Sequence, residues 1–345
     1  MINDRVNQQW CVARRPVENV QPEDFELRSD PIPRCGPGQV LLKTLYLNLA
    51  PVMRMYMSGQ SAAGEKPLAI GDVIHGRGVA EVIESKHSDY QVGDIVQGQI
   101  GWQTYKISGM TDQERMRKIP DRGVSFGLSL ASLGMTGFSA YFGFIEHGEP
   151  KPGDTVVVSG AAGGVGSIVI QLAKIKGCRV IGIAGGPQKC AAISSWCDET
   201  IDYQNEVVAD RLTELLPNGL DIYFDNVGGE TLTACLDNLA FGARVVLCGS
   251  ISEYMKDEPY GPTNYTKLRR VNGSMRGFFV YNHEPDFDRA EAELAGWVLS
   301  GELTPLVDIV DGFESLPQGL AGLYAHKNVG TAYCRVRRDP YDHMP

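Results

Sequence analysis

The chain has 345 residues, 43% of them hydrophobic, which is enough for two domains with separate cores. Its formal net charge is -10 with acids and bases interleaved, which excludes a basic nucleic-acid-binding face; the cluster Arg335, Arg337 and Arg338 reads as a solvated strand end. The first thirty residues hold no apolar run of secretory length, no later window can span a bilayer, and eight cysteines lie scattered without a CxxC, so the expected setting is the reducing cytoplasm.

Residues 35–107 read as an all-β region. QVLLKTLYLNL (39–49), GRGVAEVIES (76–85) and YQVGDIVQGQIGWQTYKIS (90–108) are strand-like runs punctuated by glycines. The texture changes after about residue 130. DTVVVSGA (154–161) is a continuous apolar strand, and GVGSIVIQLAKIKG follows at helical period with Ile168, Leu172 and Ile175 on one face. RVIGIAG (179–185) is a second buried strand, followed by a helix through QKCAAISSW and the short strand ETIDY. GLDIYFDNVG and ARVVLCGSIS are further strands, separated by the helical GETLTACLDNLA, and FDRAEAELAGWVLSGEL is a last long helix. Apolar strands alternating with helices predict a Rossmann-type, doubly wound parallel sheet. From about 307 the tail returns to short strands such as TAYCRVR, a texture suited to rejoining the first region.

The sharpest local signal is Ala161-Ala162-Gly163-Gly164-Val165-Gly166, set between a strand and a helix. Aligned to GxGxxG, its first glycine is replaced by Ala161. Gly163 leaves room for a phosphate against the backbone, Gly166 lets the helix pack, and the amides at the helix start face negative charge. NAD enzymes place an acid at the end of the second strand. Here Ala184-Gly185-Gly186-Pro187-Gln188-Lys189 offers no carboxylate and one ammonium, so NADP(H) is the expected cofactor. The six histidines are dispersed, and His75 stands in His-Gly-Arg-Gly, so no zinc ligand set is expected and no partnered nucleophile is visible.

These motifs, with YLNLAPVMRMYM, LGMTGFSAYFG, AGGPQKC, DIYFDNVGG, LCGSISEY, GFFV and HKNVGT, resemble the zinc-independent medium-chain dehydrogenase/reductase superfamily over nearly the whole chain. The branch is that of prostaglandin reductases, plant alkenal double-bond reductases and bacterial curcumin reductases. The resemblance implies a GroES-like β-rich catalytic domain over 1–129, a Rossmann NADP-binding domain over 130–306, and a return of 307–345 to the first. It implies that Gly164, Val165, Gly166 and Ser167 hold the pyrophosphate and that Lys189 and Tyr203 bracket the adenosine 2′-phosphate. Asn226 and the segment Cys248, Gly249, Ser250, Ile251, Ser252 and Tyr254 would line the cofactor. Phe278, Phe279 and Val280 would hold the nicotinamide carboxamide, with Met135 and Thr136 nearby and Asn328 reaching in from the tail.

The implied reaction is reduction of the C=C bond of an α,β-unsaturated aldehyde or ketone by metal-free hydride transfer to the β-carbon. A homodimer is implied too, with no nucleic-acid or membrane partner. Two family tyrosines are absent: the motif Asp-Pro-Tyr-Met-Arg stands here as Ala50-Pro51-Val52-Met53-Arg54, and the second position is Arg270. Tyr265, Tyr254 and Tyr56 are the remaining candidates for the catalytic hydroxyl, with Tyr281 behind them. The alternatives are a quinone reductase or a non-catalytic nucleotide-binding homologue.

Overall fold

Continuous apolar strands need cover on both faces, and the second half of the chain supplies it with helices. The structure is a computed structural model that describes residues 5–17, 19–60, 66–252, 260–325 and 328–342. Residues 131–306 form one unit. Its strands are β1 (Thr155–Ser159), β2 (Arg179–Ala184), β3 (Glu199–Asp202), β4 (Leu220–Asp225), β5 (Leu239–Leu247) and β6 (Ser274–Gly277). They lie in the order β3-β2-β1-β4-β5-β6, and all neighbours are parallel. The winding reverses between β1 and β4, and in such sheets the carboxyl ends at that switch point form the ligand crevice.

The helices of this unit are α1 (Met135–Tyr141), α2 (Gly164–Ile175), α3 (Pro187–Ile193), α4 (Val208–Leu215), α5 (Gly229–Asp237), α6 (Lys267–Arg270) and α7 (Phe287–Ser300). The sequence places one apolar face on α2. In the structure every residue from Gly166 to Ala173 is buried and Ile175 is partly exposed, because α2 packs on β1 and β2 and on α1 as well. The strand expected over 243–252 begins earlier, at Leu239 beside Leu220, and stops at Leu247. The edge strand β6, polar and partly exposed, carries no apolar run that the sequence would show.

The other unit comprises residues 1–130 and 307–345. Val40–Asn48 and Arg77–Ser85 pair antiparallel at its centre, and Thr331–Arg335 pairs antiparallel with the end of the first, Cys334 opposite Leu47. Trp102 is fully buried and stacks on Phe25 at 5.4 Å, within a core that also takes Leu42, Val82 and Phe313. Of the C-terminal arginines Arg338 is exposed, as expected, but Arg335 and Arg337 are not a solvated end. Arg335 holds Asp311 at 2.6 Å, and Arg337 donates to the Thr44 carbonyl at 2.8 Å and lies 5.1 Å over the Tyr105 ring. Among the described residues no helix is long and apolar enough to cross a membrane.

In the 131–306 unit, buried Gln171 of α2 fixes the segment after α7: its Nε2 donates to the Thr304 carbonyl at 3.0 Å and its Oε1 accepts the Thr304 amide at 2.7 Å. Gln171→Leu leaves both backbone groups unpaired, so it is expected to cost about 1–3 kcal/mol in a urea-denaturation measurement.

Candidate functional site

A turn from strand to helix needs one residue whose backbone can reverse sharply. Gly160, directly after β1, takes φ +58°, so the turn glycine stands one position before the Ala161 at which the sequence alignment places it. Gly166 allows close approach: a Cβ there would lie 2.3 Å from the Gly160 carbonyl oxygen. Gly163 caps α2, and a Cβ on it would meet the same oxygen at 3.1 Å. The first intrahelical bond runs from the Ser167 amide to Gly163, so the amides of Gly164, Val165 and Gly166 lie ahead of it and lack helical acceptors. Ser167 itself is buried, and its hydroxyl donates back to the Gly164 carbonyl at 3.1 Å.

One buried carboxyl, Asp225 at the end of β4, organises three loops. Its Oδ1 accepts the Tyr223 hydroxyl at 2.7 Å, the Ser159 hydroxyl at 3.2 Å, and the amides of Val227 at 3.0 Å and Gly228 at 2.9 Å. Its carbonyl accepts the amides of Cys248 and Gly249. Asn226 then binds back to β1, its Nδ2 donating to the Ser159 carbonyl at 2.8 Å. The Ser252 hydroxyl donates to the Val227 carbonyl at 2.6 Å, and the Ile251 amide reaches the Asn226 carbonyl at 3.3 Å. Ser250 packs 3.4 Å from where a Gly228 Cβ would stand. Asn226 and the 248–252 segment are thus brought to the carboxyl end of β1. Desolvation, and then the Asp225 charge, push the Cys248 thiol up to about 12, so it stays protonated at neutral pH. Tyr254 lies outside the described residues.

At the end of β2, Tyr203 lies over Gly185, where a Cβ would come within 2.5 Å of its hydroxyl. The structure corrects one expectation: a carboxylate does stand here, contributed by β3. Asp202 Oδ1 accepts the Gly186 amide at 2.7 Å and the Gln204 amide at 3.1 Å, while Oδ2 accepts Asn205 Nδ2 at 2.7 Å. The Asn205 amide first, and then Gly186, hold this carboxyl below its usual range. It is spent as a turn cap. Lys189, in the first turn of α3, is half-buried, burial lowers its pKa, and it makes no ion pair among the described residues.

Phe278 and Phe279 follow β6, Phe279 half-exposed against Tyr281 at 5.1 Å, and Val280 opens the turn Val280–Asp286. Met135 and Thr136 begin α1 and are partly exposed. Tyr265 is 55% exposed ahead of α6. In the β-rich unit Tyr56 is a core residue, edge-on to His75 at 5.4 Å. His75 Nε2 is spoken for by the Lys66 carbonyl at 2.9 Å. Asn328 donates to the Gly330 carbonyl at 3.1 Å. Sequence reasoning missed Tyr324, which clamps the Ala50–Arg54 segment: its hydroxyl donates to the Pro51 carbonyl at 2.6 Å and accepts the Arg54 amide at 3.1 Å. No signal in the string pairs residues so far apart. Among the described residues no three His, Cys, Asp or Glu side chains are grouped to hold a metal ion.

Asp225→Ala strips partners from two buried hydroxyls and two amides. The expected loss is about 3 kcal/mol or more of unfolding free energy, read by urea denaturation, whereas Tyr223→Phe removes one donor and costs about 1 kcal/mol.

Comparison with known proteins gives the chain a family. Residues 8–119 match the family described as the N-terminal domain of oxidoreductase, and residues 164–296 match the family described as zinc-binding dehydrogenase. The chain is 40% identical to the NADPH-dependent curcumin reductase of Escherichia coli, over 96% of this chain and 98% of that one. It is 35% identical to prostaglandin reductase 1 of Bos taurus, over 95% of this chain and 98% of that one. The crystal structure of CurA from Vibrio vulnificus in complex with NADPH superposes with a TM-score of 0.86 at 36% identity, over 96% of this chain and 100% of that chain.

Proposed function

From membership of the medium-chain dehydrogenase/reductase superfamily, to which this chain belongs in the branch of the curcumin, prostaglandin and alkenal reductases, we propose that it reduces the C=C bond of α,β-unsaturated aldehydes or ketones with NADPH. The observation that carries the reading is Lys189, a half-buried ammonium with no anion opposite it among the described residues. A phosphate on the adenosine ribose relieves that desolvated charge. Tyr203, over Gly185 in the same β2–α3 turn, would give the same group a hydroxyl and an aromatic wall. Asp202 does not argue for NADH, because its oxygens already serve three donors.

The residues present fit the rest of the cofactor. The amides of Gly164, Val165 and Gly166 at the start of α2 suit the pyrophosphate, with Gly163 giving it room and Ser167 bracing the first turn. Asn226 and residues 248–252 line the central part, Phe278 to Val280 take the carboxamide, and Met135 and Thr136 border the nicotinamide end. When bound, NADPH supplies the hydride. The chain's own tasks are to orient the enone, exclude water and steady the charge that grows on the carbonyl oxygen. Tyr56 is core-bound, which leaves exposed Tyr265, with Tyr281 behind it, as the described candidates for a hydroxyl to share a proton with that oxygen. Val52 in place of the family tyrosine favours an apolar substrate. Cys248, held as a thiol, takes no covalent part.

A homodimer belongs to the same reading, supported by the outer edge of β6, which carries no further strand among the described residues. So does a cytoplasmic setting, supported by eight free cysteines.

With an enone present, reduced-nicotinamide absorbance is expected to fall with NADPH and much more slowly with NADH; turnover of quinones alone, or NADPH binding with no turnover, overturns the substrate reading. Lys189→Ala is expected to weaken NADPH roughly 10- to 100-fold, the worth of a charge-assisted hydrogen bond, and to leave NADH binding within about twofold. Because burial lowers the Lys189 pKa, the ammonium is lost earlier than in an ordinary lysine as pH rises. The ratio of NADPH to NADH affinity should therefore begin to decline at a lower pH than an ordinary lysine would give, and Lys189→Arg, charged throughout, should flatten the decline.

A further inference from the structure

Beyond α1 the helix widens over Phe142–His147, the Gly148 amide reaching back five residues to the Gly143 carbonyl at 3.0 Å. Gly143 accepts the Phe278 ring there, since a Cβ would stand 2.7 Å from that ring and 2.9 Å from the Phe224 ring. His147 stacks on Phe278, with ring centroids 5.3 Å apart and planes 26° apart. His283, from the turn Val280–Asp286, stacks on Phe142 at 4.5 Å and 15°. The two imidazoles meet through Nε2 atoms 3.3 Å apart. Each histidine therefore rests on a ring from the other's segment, and the pair closes the link between them.

We propose that His147 and His283 are a positioning pair that holds Phe278 to Val280 in the shape that receives the nicotinamide, and that the hold persists only while the pair carries at most one proton. This deepens, and rests on, the reading of that segment as the carboxamide site. With one proton or none beyond the neutral forms, an Nε2–H on one ring donates to the other; with both rings cationic, like charges face each other at 3.3 Å. The surroundings compensate only in part. Glu146 Oε2 lies 3.5 Å from His283 Nδ1, but its other oxygen is taken by Arg289 of α7 at 2.6 Å. Arg289 also faces Asp286 at 3.5 Å and the Tyr141 hydroxyl at 2.9 Å. Glu149 is paired with Arg276 of β6 at 3.3 Å, and Arg244 of β5 donates to the Gly148 carbonyl at 2.9 Å. Burial first, and then His283, lower the pKa of His147. A base whose folded value is depressed keeps its contribution above the unfolded value, about 6.5, and loses it as pH falls below.

The test is NADPH affinity of the full chain between about pH 8 and pH 5.5, by calorimetry, for the wild type, His283→Phe and His147→Gln. Adenosine 2′,5′-bisphosphate, which has the 2′-phosphate and no nicotinamide, is titrated in parallel. Wild-type NADPH affinity is expected to fall about tenfold further than that of the bisphosphate over this range, and the excess is expected to vanish in His283→Phe. An equal excess in the wild type and in the variant that folds overturns the proposal, as does no excess in the wild type. If NADPH binds at no pH, the cofactor reading fails. The pair is then judged by NMR titration of the imidazoles: coupled steps support it, and two independent titrations near the ordinary value overturn it.

Discussion

The site depends on one buried carboxyl that is satisfied without a cation. Asp225 takes two hydroxyls and two amides on a single oxygen, and its own carbonyl takes two further amides. A buried polar group left unpaired costs more than the bond itself contributes, so each donor is held in place by the penalty of losing it. Those donors belong to the ends of β1 and β4 and to the loop after β5. Three loops that the sheet order brings side by side are thereby fixed as one surface.

On that surface the backbone supplies most of the chemistry. Gly160 turns the chain, Gly166 lets α2 lie against the turn, and the amides that follow point where a helix has no acceptors of its own. Such a surface is suited to a phosphate-bearing ligand whatever the reaction, which is why membership of the superfamily constrains the cofactor more tightly than the substrate. At the end of β2 stand a carboxylate already occupied and an ammonium with no ion pair among the described residues, the contrast on which the proposed preference for NADPH rests.

The β-rich unit is organised differently. The Ala50–Arg54 segment has lost both the acid and the tyrosine of the family motif, yet its backbone is gripped by Tyr324, whose hydroxyl both donates to Pro51 and accepts from Arg54. The shape of the segment is preserved while its polar side chains are gone.

The amino-acid string by itself determined the doubly wound sheet, because buried parallel strands must be continuous apolar runs and the helices between them must follow at a 3.6-residue period. DTVVVSGA, RVIGIAG and GLDIYFDNVG satisfy that demand locally, and it also located the glycine turn between the first of them and α2. Tertiary structure decided whatever rests on partners distant in sequence. The edge strand β6 is polar and takes its conformation from β5; Asp202 reaches Gly186 from a neighbouring strand; and Tyr324 finds Pro51 across the whole length of its unit. His147 and His283 look like two of six scattered histidines until the sheet sets their segments side by side. The physical reason is one of range: local propensity and periodicity act within a turn or two of chain, whereas hydrogen bonding between buried groups depends only on distance in space.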